Sequence, residues 1–183
     1  MLLPPSSLHL LQEILANSPV GEVLPAIAQL NLPDWWLAGG AVRNTVWRSL
    51  LGETCQLGIK DFDIAFFDAT GDRQQELEAK AILTARYPHY LFDVKNQASF
   101  ARWRSGRQTY NSTEAGISDW LHTATAVGVR LEADTWQFFT PYGLEDLFAG
   151  VVRPTPAHVG DPIAQQKADS FLQKCPNLTL AAN

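Results

Sequence analysis

Two aspartates separated by one residue, Asp61 and Asp63 in KDFDIAFFD, are the first residues whose types and spacing could do chemistry. Residues two apart on a strand point to one side, so both carboxylates would share a face while Phe62 turns the other way. Adjacent carboxylates repel unless a cation lies between them, and Mg²⁺ prefers such oxygen ligands. The pattern predicts a metal site. The alternative, a strand start with solvated aspartates, fits poorly with the apolar IAFF that follows.

A glycine pair between a predicted strand and a predicted helix is the second feature, in WWLAGGAVRN at residues 35–44. Because Gly39 and Gly40 lack a Cβ, a ligand can approach the backbone, and the N-terminus of the next helix favours phosphate. Arg43, one turn into that helix, carries a planar guanidinium that suits phosphate oxygens. The alternative is a plain strand-to-helix turn with a surface arginine.

A third acid, Asp93 in HYLFDVKNQ, ends another apolar strand. If this strand pairs beside that of Asp63, its carboxylate joins the other two. Three acids around two metal ions support phosphoryl transfer, in which Asp93 would bind the second ion or accept the proton of the attacking hydroxyl. The alternative is an aspartate that caps the following turn.

The stretch KNQASFARWRSGRQTYN, which follows Asp93, is the one locally basic part of the chain. Lys95 and Asn96 lie nearest to the expected site, and three more cations follow: Arg102, Arg104 and Arg107. These side chains would neutralise a triphosphate or hold an acceptor, or else form a solvated surface loop. Trp103 or Trp120 could stack on a base.

Together and in this order, these features resemble the head of the DNA polymerase beta-type nucleotidyltransferase superfamily. The string LAGGAVRN…KDFDIAFFD is most similar to the branch of tRNA nucleotidyltransferase and bacterial poly(A) polymerase. The strings LFDVKNQASFARW, TATAVGVRLE and TPYGLEDLFAGVVRPTP resemble a bacterial nucleotidyltransferase-like family over roughly residues 33 to 176.

The resemblance implies an enzyme that uses a nucleoside triphosphate with Mg²⁺ or Mn²⁺. It implies metal binding by Asp61 and Asp63, and by Asp93 from its order and strand context. At the glycine motif it implies nucleotide contacts by three residues: Gly39, Gly40 and Arg43.

Two departures from the tRNA-modifying branch bear on the acceptor. Asn44 stands where that branch usually has aspartate, and the sequence lacks the helical domains that select the base and grip tRNA. The net charge of −5 and the pI of about 5.3 also speak against a long nucleic acid as partner. A small molecule or a protein hydroxyl is the expected acceptor. A nucleotide-binding regulatory protein without turnover, or an interaction module, stays open.

The order of the elements, in which strands and helices alternate before a run of strands, predicts an α+β or α/β fold. The resemblance implies the α+β form, a nucleotidyltransferase-type mixed sheet flanked by helices, with an N-terminal helical segment at 1–32 and a single nucleotidyltransferase-like domain at 33–183. Helices are predicted over 7–19, 21–30, 40–52, 72–87, 112–120, 143–148 and 161–174, and strands over 35–39, 61–68, 89–95, 123–132, 135–140 and 150–154. The turn at Ala133-Asp134 is a hairpin candidate without glycine.

The sequence also bears on the cell compartment. Cys55 and Cys175 fit no metal spacing and are expected to be free thiols in a reducing cytosol. The sequence holds no run of eighteen apolar residues, so no membrane helix is predicted. The start MLLPPSSLHLLQEIL does not have the pattern of a signal peptide. A cytoplasmic location is the expectation, and the oligomeric state stays open.

Overall fold

The computed structural model describes residues 5–100 and 110–181. Its strands are β1 (Trp36–Ala38), β2 (Phe62–Phe66), β3 (Phe92–Asn96), β4 (Gly128–Glu132), β5 (Thr135–Phe139), β6 (Val151–Val152) and β7 (Thr179–Leu180). Its α-helices are α1 (Pro5–Ala16), α2 (Pro19–Gln29), α3 (Gly40–Leu51), α4 (Arg73–Arg86), α5 (Gln97–Phe100), α6 (Thr113–Ser118), α7 (Glu145–Ala149) and α8 (Pro162–Lys174). Short 3-10 helices span Gly52–Thr54 and Pro156–His158.

Five of the strands form one mixed sheet in the order β3-β2-β1-β4-β5. Strands β2 and β3 are parallel, and the other neighbouring pairs are antiparallel. Parallel strands need a crossover connection, and α4 supplies it between β2 and β3. Strands β6 and β7 pair separately. The predicted α+β fold with a helix-flanked mixed sheet is confirmed.

The two faces of the large sheet have different roles. Alternate strand residues such as Leu37, Ile64 and Val94 enter the main buried core with the helices. The opposite face carries a smaller apolar cluster that includes Trp36, Ala65 and Ile117 of α6. The polar side chains of interest lie beside this smaller cluster, so the large core supports the sheet from behind.

The N-terminal helices pack onto the main core. Leu11 and Leu15 of α1 and Val23 and Ile27 of α2 are fully buried in the same cluster as the sheet residues. Ser18 caps α2 by accepting a hydrogen bond from the Val20 backbone N–H at 3.1 Å. Burial of these apolar side chains ties the segment to the sheet. The division of the chain at residues 32 and 33 stays a prediction.

The hairpin between β4 and β5 forms without glycine. Ala133 and Asp134 have φ angles of 46° and 61°, and positive φ at both central residues is what a two-residue type I′ hairpin turn requires. The strand predicted over 123–132 begins only at Gly128, because the backbone N–H groups of Thr125 and Ala126 both donate to the His122 carbonyl and form a turn. Strand β7 was not predicted from the sequence.

The expectation of free thiols is wrong. Cys55, after the Gly52–Thr54 turn, forms a disulfide with Cys175 at the end of α8. Both residues are buried, and 120 residues separate them along the chain. They meet because the end of α8 lies against the segment after α3, where the Gln56 N–H donates to the Lys174 carbonyl at 2.7 Å. The distance between the two cysteines along the chain could not predict this contact. Across the described ranges, no helix has the length and apolar character needed to cross a membrane.

Candidate functional site

Asp63 and Asp93 lie side by side on the parallel strands β2 and β3. They are register partners, one position after the pair formed by Phe62 and Phe92. Phe62 and Phe92 turn into the main core, so the two aspartates project from the opposite face. Both line the same cavity. The predicted pairing of the two strands therefore brings these two carboxylates together.

Asp61 immediately precedes β2 and lies close enough to act on Asp63. The pKa of Asp63 is raised to about 6, chiefly by burial and then by the negative charges of Asp61 and Asp93. A hydrogen bond from the Gly40 backbone N–H and the charge of Arg43 oppose this rise. The three predicted acids thus share one electrostatic neighbourhood, with Asp63 at its centre.

The described residues hold no group of three or more His, Cys, Asp or Glu side chains placed to bind a metal ion. The donor chemistry nevertheless fits a divalent cation, because Asp63 offers hard oxygens in a partly buried place where the negative charges of Asp61 and Asp93 raise its pKa. Asp93 is partly engaged, since its Oδ1 lies 3.1 Å from Lys95 Nζ. The acids form a crowded carboxylate group rather than a closed set of metal ligands.

The glycine pair gives Asp63 the space it occupies. Gly39 precedes α3 with φ 76°, a conformation that favours glycine. A Cβ at Gly39 would lie 2.8 Å from Asp63 Oδ2 and 2.9 Å from a ring carbon of Trp120. The Gly40 N–H lowers the pKa of Asp63, so the start of α3 acts on a protein carboxylate in this structure.

Arg43 lies in the protein interior and does not reach the cavity surface. Its Nε and Nη2 donate to Asn44 Oδ1 at 3.0 and 2.9 Å, and its Nη1 donates to Thr125 Oγ1 at 2.7 Å. The guanidinium also packs 4.0 Å from the centre of the Phe171 ring. Asn44 in turn donates to the Gly58 carbonyl at 2.8 Å. Arg43 is therefore neither at the cavity, as the predicted phosphate contact requires, nor on the surface, as the alternative had it, and Asn44 and Thr125 satisfy its donors in the interior.

Lys95 and Asn96 fall on opposite faces of β3. Lys95 lines the cavity beside Asp93, whereas Asn96 is buried on the other side. Asn96 Nδ2 donates to the Asp68 carbonyl at 2.8 Å, and Asn96 Oδ1 accepts from the Asp68 N–H at 3.0 Å. Asn96 therefore fixes the loop after β2, and the structure does not bring it to the site. Strand alternation places neighbours on opposite faces.

The cavity has a volume of about 320 Å³. Its lining also includes residues from α5, from the segment after α6 and from α8 that the sequence analysis did not assign to a site: Gln97, Asp119, His122, Thr125 and Lys167. Trp120, suggested for base stacking, lines it too. Thr125 falls in the strand predicted over 123–132, and no local motif marks Lys167.

The remaining predicted contacts lie outside the described residues. Arg102, Trp103, Arg104 and Arg107 fall within residues 101–109. Arg153 Nε pairs with Asp146 Oδ2 at 2.9 Å, and burial lowers the pKa of His122 to about 4. His122 Nε2 lies 3.0 Å from the Ala164 carbonyl.

Comparison with known proteins relates this fold to nucleotide transfer. A family model described as nucleotidyltransferase matches residues 25–180. An NMR structure described as revealing a CCA-adding enzyme head domain is 28% identical, with a TM-score of 0.77, and the match covers 94% of this chain and 95% of that one. No curated protein sequence matches this chain.

Two larger structures share the fold at lower identity. The Thermotoga maritima CCA-adding enzyme complexed with tRNA is 15% identical, with a TM-score of 0.57, over 99% of this chain and 40% of that chain. A tRNA-processing enzyme complex is 18% identical, with a TM-score of 0.52, over 87% of this chain and 43% of that chain. The chain thus spans about two-fifths of these proteins. The family model and the head-domain match together show that the chain belongs to the nucleotidyltransferase family and is a nucleotidyltransferase enzyme.

Proposed function

We propose that this nucleotidyltransferase moves a nucleoside monophosphate from a nucleoside triphosphate to a hydroxyl group, with Mg²⁺ or Mn²⁺ as cofactor. The observation that carries the proposal is the register pairing of Asp63 with Asp93 at one cavity, with Asp61 acting on the same carboxylate. In this proposal Asp61 and Asp63 hold metal, and Asp93 completes the site. When bound, the metal would offset charge on the phosphates and on the attacking oxygen.

The reaction forms a bond between the acceptor oxygen and the α-phosphorus and breaks the bond from that phosphorus to the bridging oxygen, so that pyrophosphate leaves. The acceptor hydroxyl loses its proton, and Asp93 is the proposed carboxylate that takes it or that binds a second metal ion. Lys95 Nζ lies 3.1 Å from Asp93 Oδ1 at the same end of the cavity.

The nucleotide contacts of the proposal are revised by the geometry. Gly39 keeps the approach to Asp63 open, and the adjoining Gly40 orients that carboxylate. Lys95 and Lys167 line the cavity and can meet phosphate oxygens, and Trp120 offers a ring for a base. Arg43 contributes from behind the cavity, and Asn96 is left out of the proposed site.

The proposed acceptor is a small molecule or a protein side chain. The net charge of −5 supports this, because a long nucleic acid needs many basic contacts. The tRNA of the structural neighbour belongs to a protein of which this chain spans about two-fifths, so it carries no acceptor over to this chain. A cytoplasmic location is part of the proposal.

Transfer of α-labelled nucleotide tests the reaction. The purified protein is incubated with each labelled triphosphate and Mg²⁺, and label is followed in small molecules, proteins and tRNA. Asp61→Asn and Asp63→Asn should abolish transfer. Asp134→Asn is the matched control, because it removes an aspartate from an exposed hairpin turn whose positive φ asparagine tolerates. Triphosphate binding without transfer to any acceptor would contradict the proposed reaction, and labelling of tRNA would contradict the proposed acceptor class.

A further inference from the structure

The charge of Arg43 reaches the cavity through Thr125. The Arg43 side chain is 5% exposed, and none of the ion pairs found across residues 5–100 and 110–181 includes it. Its Nη1 donates to Thr125 Oγ1 at 2.7 Å, and Thr125 lines the cavity together with Asp63 and Asp93. A buried cation with neutral hydrogen-bond partners thus stands directly behind a hydroxyl on the cavity wall.

The direction of this hydrogen bond is set by chemistry. A guanidinium has only donors, so the oxygen of Thr125 must accept. The hydroxyl proton of Thr125 is then left to point elsewhere, and no other side-chain or backbone group in the described part of the chain is bonded to Oγ1. Burial lowers the pKa of Arg43 to about 10, so the arginine stays charged near neutral pH and the polarity of the pair persists.

The charge behind Thr125 selects the kind of atom that its proton would meet. A hydroxyl that accepts from a cation is polarised and becomes a stronger donor, and its best acceptor is an anionic oxygen. Lys167 lines the same cavity, and no ion pair of the described residues includes it. Thr125 and Lys167 thus offer donors to an anion, although the acid Asp119 lines the same cavity.

The start of α3 is already close to a negative charge. The Gly40 N–H, the group that the glycine motif would offer to phosphate, acts on the Asp63 carboxylate and lowers its pKa. A phosphate therefore finds fewer free donors at the helix N-terminus than the motif alone predicts. Donors from other elements have to supply the remaining contacts, and Thr125 is one that faces the cavity with its proton available.

We propose that Thr125 binds the triphosphate by donating its hydroxyl proton to a phosphate oxygen, and that Arg43 is the positioning residue that orients and polarises this hydroxyl. The inference rests on the proposed function, because it assumes that a nucleoside triphosphate occupies the cavity. It adds a binding residue from the loop before β4, which neither the glycine motif nor the aspartate pattern includes.

Paired binding measurements with a charged and an uncharged ligand test this role. The four nucleoside triphosphates are titrated with Mg²⁺ into the wild type by calorimetry, and the tightest-binding one is compared with its nucleoside. Thr125→Val, which keeps the shape and removes the hydroxyl, should raise the Kd for the triphosphate about tenfold. The Kd for the nucleoside should stay within about twofold, and Thr125→Ser should bind the triphosphate like the wild type.

Thr123→Val is the matched control. The Thr123 hydroxyl donates to Asp146 Oδ2 at 2.8 Å, and Asp146 also pairs with Arg153. Thr123 does not line the cavity that holds Asp63 and Asp93. This variant should lose thermal stability and keep the wild-type Kd for the triphosphate. If Thr125→Val does not fold, Thr125→Ala and Thr125→Ser form the comparison, with the hydroxyl again the property that should decide binding.

The outcomes separate this inference from the function on which it rests. Wild-type affinity of Thr125→Val for the triphosphate would overturn the role of Thr125 and leave the proposed reaction standing. An equal loss of triphosphate and nucleoside binding would overturn it too, since Thr125 would then only shape the cavity. Absence of triphosphate binding by the wild type would overturn the proposed function itself.

Discussion

Gly39 and Asp63 share one space: the position that a Cβ on Gly39 would take lies 2.8 Å from Asp63 Oδ2. Gly39 lies between the last residue of β1, Ala38, and the first residue of α3. Asp63 is on the neighbouring strand β2, where it is the register partner of Ala38. The backbone before α3 and the Asp63 carboxylate are therefore in close steric contact. Changes at either residue should be felt at the other.

Gly39→Ala should lower both stability and transfer activity. The alanine must adopt φ 76°, which costs about 1–2 kcal/mol, and its Cβ must also displace Asp63 or Trp120. Gly52→Ala is the matched control, because Gly52 has φ 71° and no atom within 4 Å of an added Cβ. Thermal unfolding and nucleotide transfer are measured for both. Equal activity in the two variants would show that the space at Gly39 is not needed.

Asp63→Asn should stabilise the metal-free protein while abolishing transfer. The raised pKa of Asp63, about 6 against an ordinary value of 3.8, means that the folded state binds more protons than the unfolded state between these pH values. Wild-type stability from this group therefore falls as pH rises from about 4 to 6, by up to about 3 kcal/mol. Denaturant unfolding in EDTA at pH 7 should give the higher stability to Asp63→Asn, with the difference shrinking toward pH 4. A less stable variant at pH 7 would contradict this.

His122 should make the protein sensitive to acid. Burial lowers its pKa to about 4 from 6.5, so below pH 6.5 the unfolded state binds a proton that the folded state does not. The contribution to the free energy of unfolding is fully present above pH 6.5 and is lost as the pH falls to 4, by up to about 3 kcal/mol. His122→Gln should show a flatter loss of stability between pH 6.5 and 4 in denaturant titrations. An unchanged pH slope would contradict the assignment.

Reduction of the Cys55–Cys175 disulfide should lower the melting temperature. The bond joins residues 120 apart, and closing so long a loop is worth about 4–5 kcal/mol in the chain-entropy model. Melting with and without a reductant measures the effect, and the double variant Cys55→Ser with Cys175→Ser should melt like the reduced protein and ignore the reductant. Disulfides are rare in a reducing cytosol, so alkylation of the two cysteines as the protein is denatured directly out of intact cells also tests the proposed cytoplasmic location. Unreactive cysteines there would contradict that location.

The sequence by itself determined the family, the order of the elements and the strand-borne acids. Period-two alternation placed Asp61 and Asp63 on one side of β2, and the turn residues Ala133 and Asp134 marked a hairpin, because both signals depend only on neighbours along the chain. The similarity to nucleotidyltransferases also came from contiguous strings, which a linear sequence displays fully.

Only the tertiary structure decided which side chains meet. The register of β2 with β3 set Asp63 beside Asp93, and the same alternation that placed Lys95 at the cavity turned Asn96 away from it. Arg43 follows the glycine pair at a position suited to binding phosphate at the surface. In the structure it is buried, and its Nη1 donates to Thr125, 82 residues away in sequence. Cys55 and Cys175 likewise lie far apart in sequence and are brought together by the fold. Such contacts join segments distant in sequence, and the packing that selects them depends on the whole core at once.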